Sequence, residues 1–155
     1  MTQRLSIRLA VPGEEQALEE LWSRASWANE GDREALLAQS DTPTVRTADI
    51  TDERVFVAER QEKILGFATV EPLENGDCEM TALFVDPDVW RGGIGKLLVT
   101  RCCVATKSQG GKYLQVVGNP HAEGFYAACG FESLGTVETS LGTGLQLQLE
   151  IQKLL

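Results

Sequence analysis

The stretch LFVDPDVWRGGIGKLL, Leu83 to Leu98, decides how this chain is read. An apolar run leads into Pro87, Arg91 follows, and Gly92, Gly93 and Gly95 stand where a helix should begin. Each glycine costs up to about 1 kcal/mol of helix stability relative to alanine. Bare backbone between a strand and a helix has two explanations. A tight turn can require positive φ, or an anion can sit on exposed N–H groups at the positive end of the helix dipole. Three glycines beside Arg91 favour the anion site.

The familiar phosphate fingerprints do not fit. A P-loop ending at Gly95-Lys96 would need glycine where Trp90 stands and Ser or Thr where Leu97 stands. A dinucleotide fingerprint built on Gly93 and Gly95 would need glycine at Leu98.

Beyond the glycines, Ile94, Leu97, Leu98, Cys102 and Ala105 mark a helical apolar stripe that ends at Gly110 and Gly111. YLQVV, from Tyr113, is apolar enough for a strand covered on both faces. A strand–helix–strand unit places that strand parallel to CEMTALFV before the glycines. GNPHAEGFYAACGF then reads as a helix with Asn119 at its cap, Pro120 in its first turn and Gly130 after its end.

Upstream, RVFVAER and KILGFATVEP are separated by Gln61 and Glu62, and the turn ENGD leads to CEMTALFV, so three consecutive strands are antiparallel. LSIRLA suggests a first strand. EEQALEELWSRASW suggests a helix with Ala17, Leu18, Leu21, Trp22 and Ala25 on its stripe. A shorter helix fits DREALLAQ, and SDTPTVRTADITDE reads as loop. The tail GLQLQLEIQ alternates as a half-buried strand and would leave an exposed edge open to self-pairing into a homodimer. No repeat or linker interrupts the pattern, so residues 1–155 are expected to form a single α+β domain with a mixed sheet.

The net charge of −9 over 155 residues argues against nucleic acid; it suits a cationic small molecule or a Lys-rich chain end, or simply aids solubility. No apolar run reaches membrane length, and the N-terminal residues lack a signal-peptide core, which points to the cytoplasm. Cys78, Cys102, Cys103 and Cys129 contain no CxxC and read as small buried hydrophobes in a reducing compartment. A single histidine, His121, rules out a His-rich metal cluster, and no metal is expected. A Cys129–His121 nucleophile pair is a formal option only.

Two segments resemble the GNAT superfamily of acetyl-CoA-dependent N-acetyltransferases. One is Val85-Asp86-Pro87 followed by Trp90-Arg91-Gly92-Gly93-Ile94-Gly95, similar to that family's V-x-P and Gln/Arg-x-x-Gly-x-Gly/Ala pattern. The other supplies Asn119, Ala122, Phe125, Tyr126, Gly130 and Phe131, similar to N-x-x-A-x-x-F-Y-x-x-x-G-F. One position departs: Trp90 occupies the place of the family's Gln or Arg, with the cation one residue later at Arg91.

The resemblance implies the GNAT fold, a mostly antiparallel mixed sheet of about seven strands with about four helices, and acetyl-CoA as co-substrate. It implies that Leu83, Phe84 and Val85 border the pantetheine arm. The amides from Arg91 through Gly92, Gly93, Ile94 and Gly95 to Lys96 would hold the pyrophosphate, with Asn119 and Tyr126 also near the carrier. Tyr126 is the implied general acid and Glu79 the implied base, with Glu79 expected on one strand face with Thr81 and Leu83. By the same analogy a small-molecule or peptide amine would be held near Trp27, Glu30 and Asp32, whereas Trp22 reads as core. A GNAT-fold module that binds acyl-CoA without turnover is the alternative, and Trp90 is the feature that favours it.

Overall fold

A computed structural model describes residues 4–28, 44–139 and 142–154. In chain order the elements are β1 (Ser6–Leu9), α1 (Glu15–Ala28), α2 (Thr47–Thr51), β2 (Val55–Arg60), β3 (Lys63–Pro72), β4 (Cys78–Val85), α3 (Ile94–Ser108), β5 (Tyr113–Gly118), α4 (Glu123–Cys129), β6 (Glu132–Thr139), β7 (Gly142–Glu150) and α5 (Ile151–Leu154). The seven strands form one mixed sheet in the order β1-β2-β3-β4-β5-β7-β6. Every neighbouring pair is antiparallel except β4 and β5, which are parallel, as a crossover through α3 requires.

Strand alternation sends side chains to two cores. In β2, Val55 and Val57 meet Leu18 and Leu21 of α1 and Ile50 of α2. Phe56 and Ala58 face the opposite way, into the larger cluster around Ile94, Leu98, Val99, Cys102 and Cys103 of α3. That cluster continues beneath β5 and β7 through Leu114, Val116, Leu147 and Leu149. The tight β2–β3 connection is built with Gln61 and Glu62 both at positive φ, 53° and 64°. Two ordinary residues accept the left-handed geometry there because the hairpin twist demands it.

Several expectations are corrected. Thr47–Thr51 is a helix and not loop; Ile50, buried against α1 and the sheet, holds the short turn in place. Leu97 and Ala17 lie on their helices' exposed sides. On α3 the buried stripe runs instead through Val99, Cys103 and Thr106. The C-terminal strand β7 is not an edge, because β6 covers it. Trp22 is partly buried and stacks on Phe84 with ring centroids 5.1 Å apart. The DREALLAQ helix lies outside the described residues.

Candidate active site

β4 changes face partway along its length. The β3–β4 register passes from Thr69↔Ala82 to Val70↔Met80, so Thr81 is an extra residue in the ladder. Cys78 and Met80 therefore share the α3 face with Leu83 and Val85, while Ala82 and Phe84 turn to the α1 face. This corrects the expectation for Glu79, which alternates with Met80 and so shares a face with Ala82 and Phe84 rather than Leu83.

The bulge coincides with a parting of strands. β4 and β5 pair only at Cys78↔Leu114 and Glu79↔Gln115. The amide of Asp86 donates to Leu65 on the β3 side at 2.8 Å, so the backbone groups of Leu83 and Val85 point the other way, toward the gap. A cleft of about 710 Å³ opens there. Of the expected carrier-binding residues, Leu83, Phe84, Val85, Arg91, Gly93, Ile94, Gly95, Lys96, Asn119 and Tyr126 line it. Gly92, Glu79 and Trp27 are not in its walls, and Glu30 and Asp32 lie outside the described residues. Trp27 is exposed in the last turn of α1, while Ala25, from the same turn, reaches the cleft.

The three glycines have three separate reasons. Gly93 caps α3 with φ 85°, a left-handed conformation natural to glycine. At Gly92 a Cβ would stand 3.1 Å from the Val89 carbonyl oxygen, and its amide closes a turn onto that oxygen at 3.3 Å. At Gly95 a Cβ would stand 3.0 Å from the Phe125 ring, so bareness there admits the aromatic against the first turn. The first helical bond runs from Leu97 to Gly93 at 3.1 Å. The amides of Gly93, Ile94, Gly95 and Lys96 precede it and have no acceptor within the helix. Together they present a positive helix terminus to the cleft, flanked by Arg91 and Lys96, a geometry suited to an anion.

Across the gap, Asn119 caps a 3₁₀ turn at Pro120–Ala122, accepting from the His121 amide at 2.9 Å. α4 then carries Tyr126 into the cleft wall, 8% exposed. Its ring meets Phe125 and Phe131 edge-on, with centroids 5.3 and 5.5 Å away. Gly118 must be bare, since a Cβ would lie 2.6 Å from the tyrosine ring. Burial pushes the Cys129 thiol up, which keeps it protonated and works against a nucleophilic role.

Glu79 lies at the closed end of β4, opposite Glu71 on β3 and Gln115 on β5. Burial, and then the facing Glu71 carboxylate, push its carboxyl above the usual carboxylate range. Such a shift suits a base that must take a proton near neutral pH.

Sequence reasoning missed a second fixture. Asp86, fully buried, accepts from the Asp88 amide at 3.0 Å and from Arg24 of α1 at 2.9 Å. Burial works to raise its pKa, but these partners win and hold the carboxyl below its ordinary value. The pair ties α1 to the end of β4 just before the glycines. The Asp-Pro-Asp turn was readable as a cap, but a partner 62 residues away was not.

The sequence matches the Acetyltransferase (GNAT) domain family over residues 51–133, more than half of the chain. No curated protein matches it. Among solved structures it is similar to the N-acetylglutamate synthase of Neisseria gonorrhoeae complexed with coenzyme A and N-acetyl-glutamate. There the TM-score is 0.72 and the identity 17%, over 97% of this chain but only 36% of the synthase. It is also similar to the paia N-acetyltransferase of Thermoplasma acidophilum in complex with coenzyme A, with TM-score 0.72 and 16% identity over 95% and 99% of the two chains. A third similar structure is yncA of Salmonella typhimurium with acetyl-CoA, with TM-score 0.70 and 17% identity over 96% and 94% of the chains. At such identities the likeness establishes the fold.

Proposed function

The chain belongs to the GNAT acetyltransferase family, and from that premise we propose that it moves the acetyl group of acetyl-CoA directly to a primary amine of a small molecule or peptide in a ternary complex. The observation that carries this reading is the parted β4–β5 pair. It leaves an open strand edge along the cleft, and a helix terminus with four outward amides opens on the same cleft. An extended, amide-bearing arm pairs along Leu83 and Val85 as an added strand would. Its pyrophosphate rests on the amides of Gly93 to Lys96. Asn119, at the far wall, borders the same carrier.

Transfer breaks the acetyl carbon–sulfur bond and forms a carbon–nitrogen bond. The amine gives up a proton and the departing thiolate takes one. A backbone N–H on the open edge, such as that of Leu83, stabilises the oxyanion that develops at the acetyl oxygen. The Tyr126 phenol, protonated at neutral pH, donates to the sulfur. Glu79 accepts the amine proton through water, because it stands outside the cleft wall. Trp27 and Glu30 are the acceptor-side residues, an aromatic and a carboxylate able to hold a cation. The charge of −9 favours that class of acceptor. Among the described residues no helix is long and apolar enough to cross a membrane.

A thermal-shift titration with acetyl-CoA, CoA, ATP and NAD, followed by an amine screen that reads thiol release, tests the proposal. Ligand at 100 times Kd should add about 2.7 kcal/mol of stability. A rise with the CoA species alone, together with amine-dependent thiol release, is expected. A rise without turnover for any amine supports a carrier-binding module, the second reading, which Trp90 at the family's Gln/Arg position favours. No rise with either CoA species overturns both.

A further inference from the structure

Trp90 is the residue of the glycine segment that the proposed function leaves unused. Its indole Nε1 donates to the Val85 carbonyl oxygen at 2.7 Å. The side chain is nevertheless 42% exposed and lines the cleft. Val85 ends β4, and its backbone groups point away from β3 along the edge that β5 leaves uncovered beyond Glu79. An exposed indole thus makes the hydrogen bond that a neighbouring strand would otherwise make. The next residue, Arg91, adopts φ 67°, a conformation that side-chain-bearing residues rarely take, so strain sits directly after the residue whose indole is held there.

We propose that Trp90 is a carrier-selecting residue: a stand-in for the missing strand, released only by a ligand that brings its own amide N–H to Val85. This rests on the CoA reading above. The arm of CoA carries such amides and can displace the indole. ADP carries a pyrophosphate without the arm; it can reach the amides of Gly93 to Lys96 but leaves the indole on Val85. Selection follows from exchange. A ligand with an amide trades one hydrogen bond for another, while any other ligand crossing that edge would strand a carbonyl.

The test compares the wild type with Trp90→Phe, which keeps an aromatic ring but has no N–H. Calorimetric titration with CoA should give about two- to tenfold tighter binding in the variant, the worth of one ordinary hydrogen bond no longer to be broken. ADP affinity should be the same in both proteins. In a Trp22→Phe, Trp27→Phe protein, where Trp90 is the only indole, CoA should shift the emission and ADP should not. Equal or weaker CoA binding by Trp90→Phe overturns the inference alone, as does an emission that ignores CoA. If CoA binds neither protein, the CoA reading falls, and the inference falls with it.

Discussion

The two ends of the β4–β5 pair use the same strands for opposite purposes. At the closed end, Cys78 and Glu79 pair with Leu114 and Gln115. The buried Asp77 carboxylate accepts from the amides of Lys112 and Tyr113 at 2.8 and 3.1 Å. Gln109 donates to the carbonyls of Gly76 and Asp77 at 2.7 and 3.1 Å. Gly111 lies so close that a Cβ would be 2.5 Å from the Gly76 oxygen. At the open end the ladder stops, Thr81 bulges, and Tyr126 and Phe125 stand in the cleft wall where strand would meet strand. Backbone groups are consumed at one end and presented at the other. Stability should therefore concentrate at the first and function at the second.

The largest expected effect breaks the open end alone. Tyr126→Phe should lower kcat about 100-fold, within the range for loss of a general acid, while CoA affinity and thermal stability stay close to wild type. Steady-state kinetics beside a CoA titration checks this, and an unchanged kcat would remove the acid from that wall. Next comes the closed end. Asp77→Ala leaves two part-buried amides without their charged acceptor and should cost about 1–2 kcal/mol in urea unfolding, with little effect on kcat of the folded protein. A large loss of kcat at unchanged stability would mean that the two ends are not separable.

The smallest effect sharpens the boundary between them, at Glu79. Its folded-state pKa is raised, so between the ordinary carboxylate value and the raised one the folded protein holds more protons than the unfolded chain. Stability then falls as pH rises through that window. Glu79→Gln should abolish this fall and stabilise the protein at neutral pH by less than about 1 kcal/mol, the group being partly exposed and screened. If Glu79 is also the base, the variant loses the limb on which kcat/KM rises with pH. Urea curves at several pH values and a pH–rate profile report the two effects separately.

Much of this architecture was legible because it rests on local chemistry. β2 and β3 announced themselves by apolar, β-branched runs. The α3 start was marked by Gly93, and α4 lies between the Asn119 and Gly130 signals. β6 was not legible, since nearly every one of its side chains is exposed and no alternation of burial marks it. It is a strand because β7 offers it a ladder. Among the site residues, the wall from Leu83 to Val85, the glycine segment and Tyr126 were readable as motif. The face of Glu79 was not: an alternation rule carries no warning of an extra residue at Thr81.

The sequence by itself determined which segments could be strands and helices, and where bare backbone and a phenol would be available, because periodicity, capping and glycine's freedom act within a few residues. Only the tertiary structure decided that β4 leaves β5 after two residue pairs, that Arg24 finds Asp86, and that Trp90 closes on Val85. Those outcomes depend on which distant groups share a core and a hydrogen bond once the sheet has assembled, and no local pattern encodes them.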